Sequence, residues 1–250
     1  MNPHDDPSFY DRVGEANGWD FSRLRCVTEG AAWDFYDEVA KCCRPSVLLL
    51  DIGTGGAEAL ISAAGAALLC VGIDRSPAMV RTAERNVSRS GRTNIRILPM
   101  EAGRLTFPGG FFDVVSCRHS EFSAKEAYRV LTKGGRFLTQ QVAESDKRNL
   151  KMALGRGQHF DDKPGTLRMR LEAELEEVGF VEVQAYEYDA AEYYAEEEDL
   201  VFLLKHTPIV PRYGEEEGDE ATLRRFIREY RTPKGIRTNA SRLLVTARKL

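Results

Sequence analysis

Residues suited to metal binding are scarce, with 5 cysteines and 4 histidines in 250 residues. Cys26, Cys42, Cys43, Cys70 and Cys117 are odd in number and lack the spacing of a zinc site. No metal is expected, and free thiols suit a reducing cytoplasm. Long apolar runs are missing, so no membrane span is expected. The polar, acidic start Met1-Asn2-Pro3-His4-Asp5-Asp6 is not a signal peptide. An excess of basic charge is also missing, since the net charge is −4. That disfavours a nucleic-acid partner, because phosphate contacts need clustered Lys and Arg. Local clusters at Lys147-Arg148, Arg168 to Arg170 and Arg224-Arg225-Arg228 read as solvated helix faces. What is present is 42% hydrophobic residues, enough for the core of one α/β domain with appendages.

The most informative stretch is Asp51-Ile52-Gly53-Thr54-Gly55-Gly56. It follows the apolar run Val47-Leu48-Leu49-Leu50 and precedes a helical pattern from Ala57. Glycine turns of this kind let backbone approach a ligand. A second carboxylate, Asp74, ends the next apolar run about 20 residues on, where it suits the two hydroxyls of a ribose. The dinucleotide pattern G-x-G-x-x-G is matched only by Gly53 and Gly55, because Glu58 stands at its third glycine. A carboxylate on that first helical turn would repel a pyrophosphate, so a cofactor with a ribose and no phosphate fits better than NAD.

These residues resemble the class I S-adenosylmethionine-dependent methyltransferases. Leu50 to Gly56 is similar to that family's first motif, which implies that Asp51, Gly53, Thr54 and Gly55 cradle the cofactor. Ala57 stands where the family usually has a third glycine. Gly72-Ile73-Asp74-Arg75-Ser76-Pro77-Ala78-Met79 resembles the second motif, with Asp74 on the ribose and Met79 against adenine. Met100-Glu101-Ala102 stands where the family usually has Gly-Asp-Ala, placing Glu101 near the adenine amino group. Phe107 to Val115 and Arg129 to Leu138 resemble the segments leading into the fourth and fifth strands. The implied fold is a doubly wound, mostly parallel seven-stranded sheet with an antiparallel last strand, the Rossmann-like methyltransferase fold. The implied cofactor is S-adenosyl-L-methionine.

Periodicity agrees with alternating strands and helices. Strands are expected at Val47–Leu50, Leu68–Asp74, Ile95–Pro99, Asp113–Cys117, Arg136–Val142, Val181–Tyr188 and Leu243–Ala247. Helices are expected at Ala57–Ala64, Pro77–Ser90, Ala124–Leu131, Thr166–Val178, Asp199–Lys205 and Glu220–Tyr230. The chain reads as a single domain: residues 1–44 a helical, aromatic-rich N-terminal arm, 45–189 and 240–250 the core sheet, and 190–239 an insertion. Within the insertion, Thr207-Pro208-Ile209-Val210-Pro211 reads as an extended connector. The insertion is too long for a hairpin loop and suits a lid over the strands' C-terminal ends. A packing appendage or a homo-oligomer contact stays open.

Methyl transfer from a sulfonium needs alignment of acceptor and methyl, exclusion of water and sometimes removal of a proton. The acceptor is expected beyond the fourth strand, at Cys117-Arg118-His119-Ser120-Glu121. On an extended segment His119 and Glu121 would share a side, as an imidazole and its orienting carboxylate. Alternatively His119 bonds backbone and Glu121 caps the following helix. Cys117 lacks an adjacent proline and reads as a small core residue. Tyr10 could fold over the cofactor from the arm, and Gln140-Gln141 could face the pocket. An aromatic small-molecule acceptor suits the aromatic-rich arm. Gly18-Trp19-Asp20-Phe21-Ser22, Glu29-Gly30, Trp33 to Tyr36, Arg118-His119 and Thr139 to Val142 resemble bacterial indole C3-methyltransferases of alkaloid biosynthesis, which form pyrroloindoles. RNA or protein methylation, and cofactor binding without catalysis, are the rival expectations.

Overall fold

The computed structural model describes residues 21–250 and Val13. Its centre is a run of parallel strands, β2 (Leu48–Ile52), β3 (Leu69–Asp74), β4 (Ile95–Pro99), β5 (Phe112–Arg118) and β6 (Leu131–Val142). β7 (Val181–Tyr194) and β9 (Gly235–Arg248) extend the sheet, with β9 antiparallel to both β6 and β7. The strand order is β1-β7-β9-β6-β5-β2-β3-β4. The expected seven strands are thus joined by β1 (Cys26–Glu29) on the β7 edge and by the short β8 (Arg231–Thr232) beside β9. β2 is apolar on both faces because it lies mid-sheet, covered by helices above and below.

On one face pack α1 (Phe35–Cys42), α2 (Glu58–Ala63) and α3 (Pro77–Ser90), through Val39, Leu60 and Ala83. The other face takes α4 (Ala124–Val130) and α6 (Thr166–Glu177), through Val130, Leu171 and Leu175. Helix ends follow local chemistry. Asp34 caps α1 by accepting from Tyr36 N and Asp37 N. Ser76 caps α3, Pro77 opens it and Gly91 at φ 68° ends it. Ala57 takes a left-handed φ of 64°, the conformation for which the resembled family uses glycine.

Several local expectations give way to tertiary pairing. β6 begins at Leu131, where a helix end was expected, and residues 132–135 bulge because Phe112 pairs with Leu131 and Val114 with Arg136. β9 begins at Gly235, eight residues before the expected strand, because its length is set by pairing with β7 from Arg248 back to Ile236. The β7–β9 hairpin therefore runs past Val142, where β6 stops opposite Arg242. α5 (Arg148–Leu154), α7 (Glu197–His206) and α8 (Asp219–Tyr230) form a third apolar cluster with this overhang, through Leu150, Leu200, Phe226 and Ile236. Residues 207–211 form turns rather than an extended connector, since Ile209 and Val210 are buried in that cluster.

Candidate active site

The C-terminal ends of β2, β3, β4 and β5 lie side by side, and the loops leaving them build one half of the site. Gly53 and Gly55 take left-handed φ values of 69° and 57°. A Cβ at Gly53 would collide with Ser120 Oγ, so the glycine lets the β2 loop touch the β5 loop. Gly53 N and Thr54 N both donate to Ile73 O, at 2.9 and 3.0 Å. Asp74 accepts from Gly55 N and Ser76 N, each at 2.9 Å. Met100 N donates to Asp74 O at 3.0 Å, which brings Met100, Glu101 and Ala102 to the same edge. A carboxylate has about four acceptor directions, so Asp74 keeps capacity for ribose hydroxyls. Its two backbone donors fix the carboxylate's orientation.

Two expected cofactor residues, Met79 and Asp51, are buried away from the open edge, while Arg75 stays at it. Met79 is 2% exposed and packs inside the protein, so it offers the open edge almost no surface. Its amide donates to the capping Ser76 Oγ, which sets it one turn into α3. Arg75 is exposed beside Asp74. Asp51 is fully buried: Ser116 Oγ donates to it at 2.6 Å and Tyr36 Oη at 3.1 and 3.3 Å. It anchors the glycine loop from below.

Burial pushes the Asp51 carboxyl up to about 6, against the pull of the Ser116 and Tyr36 hydroxyls. The folded state thus holds this proton more tightly than the unfolded chain. The stability it contributes is full below about pH 4 and is lost as pH rises through about 6, on the order of 3 kcal/mol in all. Asp51→Asn should remove that slope. Urea midpoints of the two proteins should diverge between pH 4 and 6, the variant gaining as pH rises; parallel curves would refute the assignment.

The second half is built from α1, β5, β6 and β7. Trp33 Nε1 donates to Gln140 Oε1 at 2.8 Å, and Gln140 Nε2 lies 3.1 Å from His119 Nε2. An indole nitrogen only donates, so the amide oxygen must face Trp33 and the amide NH₂ must face His119. His119 Nε2 is therefore an acceptor and Nδ1 carries the proton. Burial, then the charges of Arg118, Arg242 and Lys147, holds the imidazole well below its usual range and keeps it neutral. The Trp33 and Tyr188 rings meet edge to face with centroids 4.5 Å apart. Arg118 lies 5.8 Å above the Tyr36 ring.

The expected His119–Glu121 pair is not assembled. His119 takes a left-handed φ of 53°, so the chain turns there and the alternation of an extended segment is lost. His119 bonds Gln140 through both backbone and side chain, and Glu121 is exposed without a bond to it. Ser123, not Glu121, caps α4. Gln140 joins the site, whereas Gln141 ties down the β5 loop through Ser120 O at 3.0 Å. Cys117 is buried with its thiol pushed up by desolvation, as a core residue. Tyr10 and the segment Gly18-Trp19-Asp20 lie outside the described residues. Among the described residues no group of His, Cys, Asp and Glu could hold a metal, and no helix is long and apolar enough to cross a membrane.

Sequence reasoning missed Tyr36, Ser116 and the bond from Trp33 to Gln140, whereas Arg118 lay in the expected acceptor segment and Gln140 was expected to face the pocket. Trp33 stands just before the Asp34 cap of α1 and Tyr36 within its first turn, and only packing shows which polar tip reaches which strand.

Fold and strand-tip loops define a Rossmann-like α/β methyltransferase fold with its glycine loop and Asp74 at the switch point. Residues 50–139 match the family described as a methyltransferase domain. A curated relative, an uncharacterized methyltransferase of Bacillus subtilis, is 33% identical over 103 residues, 38% of this chain. That match spans 41% of the relative's length. Among solved structures, the YcgJ protein of Bacillus subtilis covers 86% of this chain and 97% of its own, with TM-score 0.61 and 18% identity. The [4+2]-cyclase SpnF covers 100% of this chain and 97% of its own, with TM-score 0.62 and 19% identity. A Haemonchus contortus phosphoethanolamine N-methyltransferase, solved with S-adenosylhomocysteine, covers 98% of this chain and 58% of its own, with TM-score 0.55 and 16% identity. These likenesses show the shared fold, and a fold that carries both transferases and a cyclase leaves the reaction to be argued from the site.

Proposed function

We propose that this protein transfers a methyl group from S-adenosylmethionine to a small aromatic or heteroaromatic acceptor, an indole C3 carbon being the particular case. One observation carries the reading. The glycine loop that presents Asp74 touches Ser120, one residue from His119. A ribose cradle and an aromatic wall of Trp33 and Tyr188 thus share the same strand ends.

The cofactor supplies a methyl already activated on a sulfonium. The chain's own work is to align the acceptor and keep water out. Asp74 holds the ribose hydroxyls. Trp33 and Tyr188, meeting edge to face, give an acceptor ring an aromatic corner to pack against. His119 stays neutral and presents an Nδ1–H donor, since Gln140 occupies its other nitrogen. It orients the acceptor rather than taking its proton. On an indole, C3 gains the methyl as the ring nitrogen takes up the positive charge. Closure of a side-chain nitrogen onto C2 then completes the pyrroloindole and releases that nitrogen's proton. The insertion around α7 and α8 serves as the lid that excludes water.

The test is incubation of the purified protein and S-adenosylmethionine with N-acetyltryptamine-like and cyclic-dipeptide indoles, beside phenols and RNA. Mass spectrometry should show one added methyl on an indole or phenol, with S-adenosylhomocysteine in equal amount. Methylated RNA with activity falling steeply in salt would replace this reading. Tight S-adenosylhomocysteine binding without turnover of any acceptor would leave a cofactor-binding module.

A further inference from the structure

We infer that Arg118 is a carboxylate-binding residue of the acceptor subsite, so that the natural acceptor is an aromatic ring bearing a carboxylate arm. The inference rests on the aromatic-acceptor reading and narrows it. Arg118 ends β5, paired in register with Gln140. It is therefore the strand residue next to the Trp33–Gln140–His119 chain. Its guanidinium lies over Tyr36 at 5.8 Å and is exposed.

Among the described residues Arg118 has no carboxylate partner. Asp51, which feels the Arg118 charge, and Asp146 and Glu192 on the Tyr188 side all carry bonds of their own. Asp51 is bonded to Ser116 and Tyr36. Asp146 is bonded to Arg242 and the Ser241 amide. Glu192 is bonded to Lys147 and Tyr194. Arg242, the other arginine near this cleft, is thereby neutralised, while Arg118 is not. The aromatic face of Tyr36 fixes the guanidinium without consuming its donors. A planar fork of donors held at the rim of an aromatic wall matches a carboxylate by two parallel bonds. The neutral imidazole of His119 adds a further donor and no competing charge.

The same chemistry could come from the cofactor's own carboxylate, so the experiment separates the two. Calorimetry would measure S-adenosylhomocysteine binding to the wild type, Arg118→Gln and Arg118→Lys. In its presence, indole-3-propionate and indole-3-propionamide would then be titrated into each protein. The expected result is unchanged S-adenosylhomocysteine affinity, a 10- to 100-fold preference of the wild type for the acid over the amide, loss of that preference in Arg118→Gln, and partial recovery in Arg118→Lys. Equal wild-type affinity for acid and amide would overturn the inference and leave the aromatic-acceptor reading standing. Binding of neither compound would overturn both. A fall in S-adenosylhomocysteine affinity in Arg118→Gln, with the acid preference intact, would assign the arginine to the cofactor and overturn the inference.

Discussion

Asp74→Ala is expected to weaken S-adenosylhomocysteine binding about 100-fold or more, because each hydrogen bond to a charged group contributes about 1.5–3 kcal/mol and a ribose offers two hydroxyls. The carboxylate also accepts from Gly55 N and Ser76 N, so it shapes the glycine loop as well as meeting the ligand. Asp74→Asn keeps the shape and one acceptor oxygen, and it should fall between the wild type and Asp74→Ala. Titration calorimetry gives the affinities, and a thermal melt of each variant shows whether the fold is kept. An affinity within threefold of wild type in a folded Asp74→Ala protein would remove the cofactor site from the strand tips.

The largest stability effect is expected at Lys147. This lysine is 1% exposed, with Nζ 2.5 Å from Glu192 Oε2 and 3.0 Å from Asn239 O. Asp146 lies 3.7 Å away, and Tyr194 Oη donates to the same Glu192 oxygen at 2.7 Å. Lys147→Met keeps most of the apolar volume and leaves Glu192 buried beside an uncharged chain. Breaking a buried pair by removing one partner costs about 3–5 kcal/mol. At about 2–4 °C per kcal/mol for a chain of this size, the melting temperature should drop by roughly 6–20 °C. Replacing both partners, Lys147→Met with Glu192→Leu, should recover most of the loss, since the pair's mutual attraction is offset by its desolvation. A drop under about 1 kcal/mol in the single variant would mean that water reaches the pair. The network joins the α5 entry to the β7–β9 overhang, so its loss should loosen the insertion before the parallel sheet.

The strand-tip loops around Gly53, Gly55 and Asp74 were legible because their geometry is local. Apolar run, glycine turn and terminal acid are contiguous along the chain, and strand pairing only lays two such units side by side. Asp74 meets Gly55 because β2 and β3 are parallel and in register from Leu48–Leu69 to Ile52–Ile73. The acceptor half was not legible in the same way. Trp33, His119, Gln140 and Tyr188 come from four separate elements, and their order along the chain says nothing of their meeting. His119 and Glu121 were two residues apart and suggested a pair, but one left-handed residue sends them apart.

The sequence by itself determined the alternating α/β plan, the glycine turn and the acid at the second strand's tip, because each depends on neighbouring residues and elementary backbone sterics. Tertiary structure alone decided the long β7–β9 overhang, the start of β6 at Leu131, the burial of Lys147 with Glu192 and the amide chain that fixes the His119 tautomer. Those depend on pairing register and on desolvation, which are set by residues distant along the chain, and no local propensity encodes them.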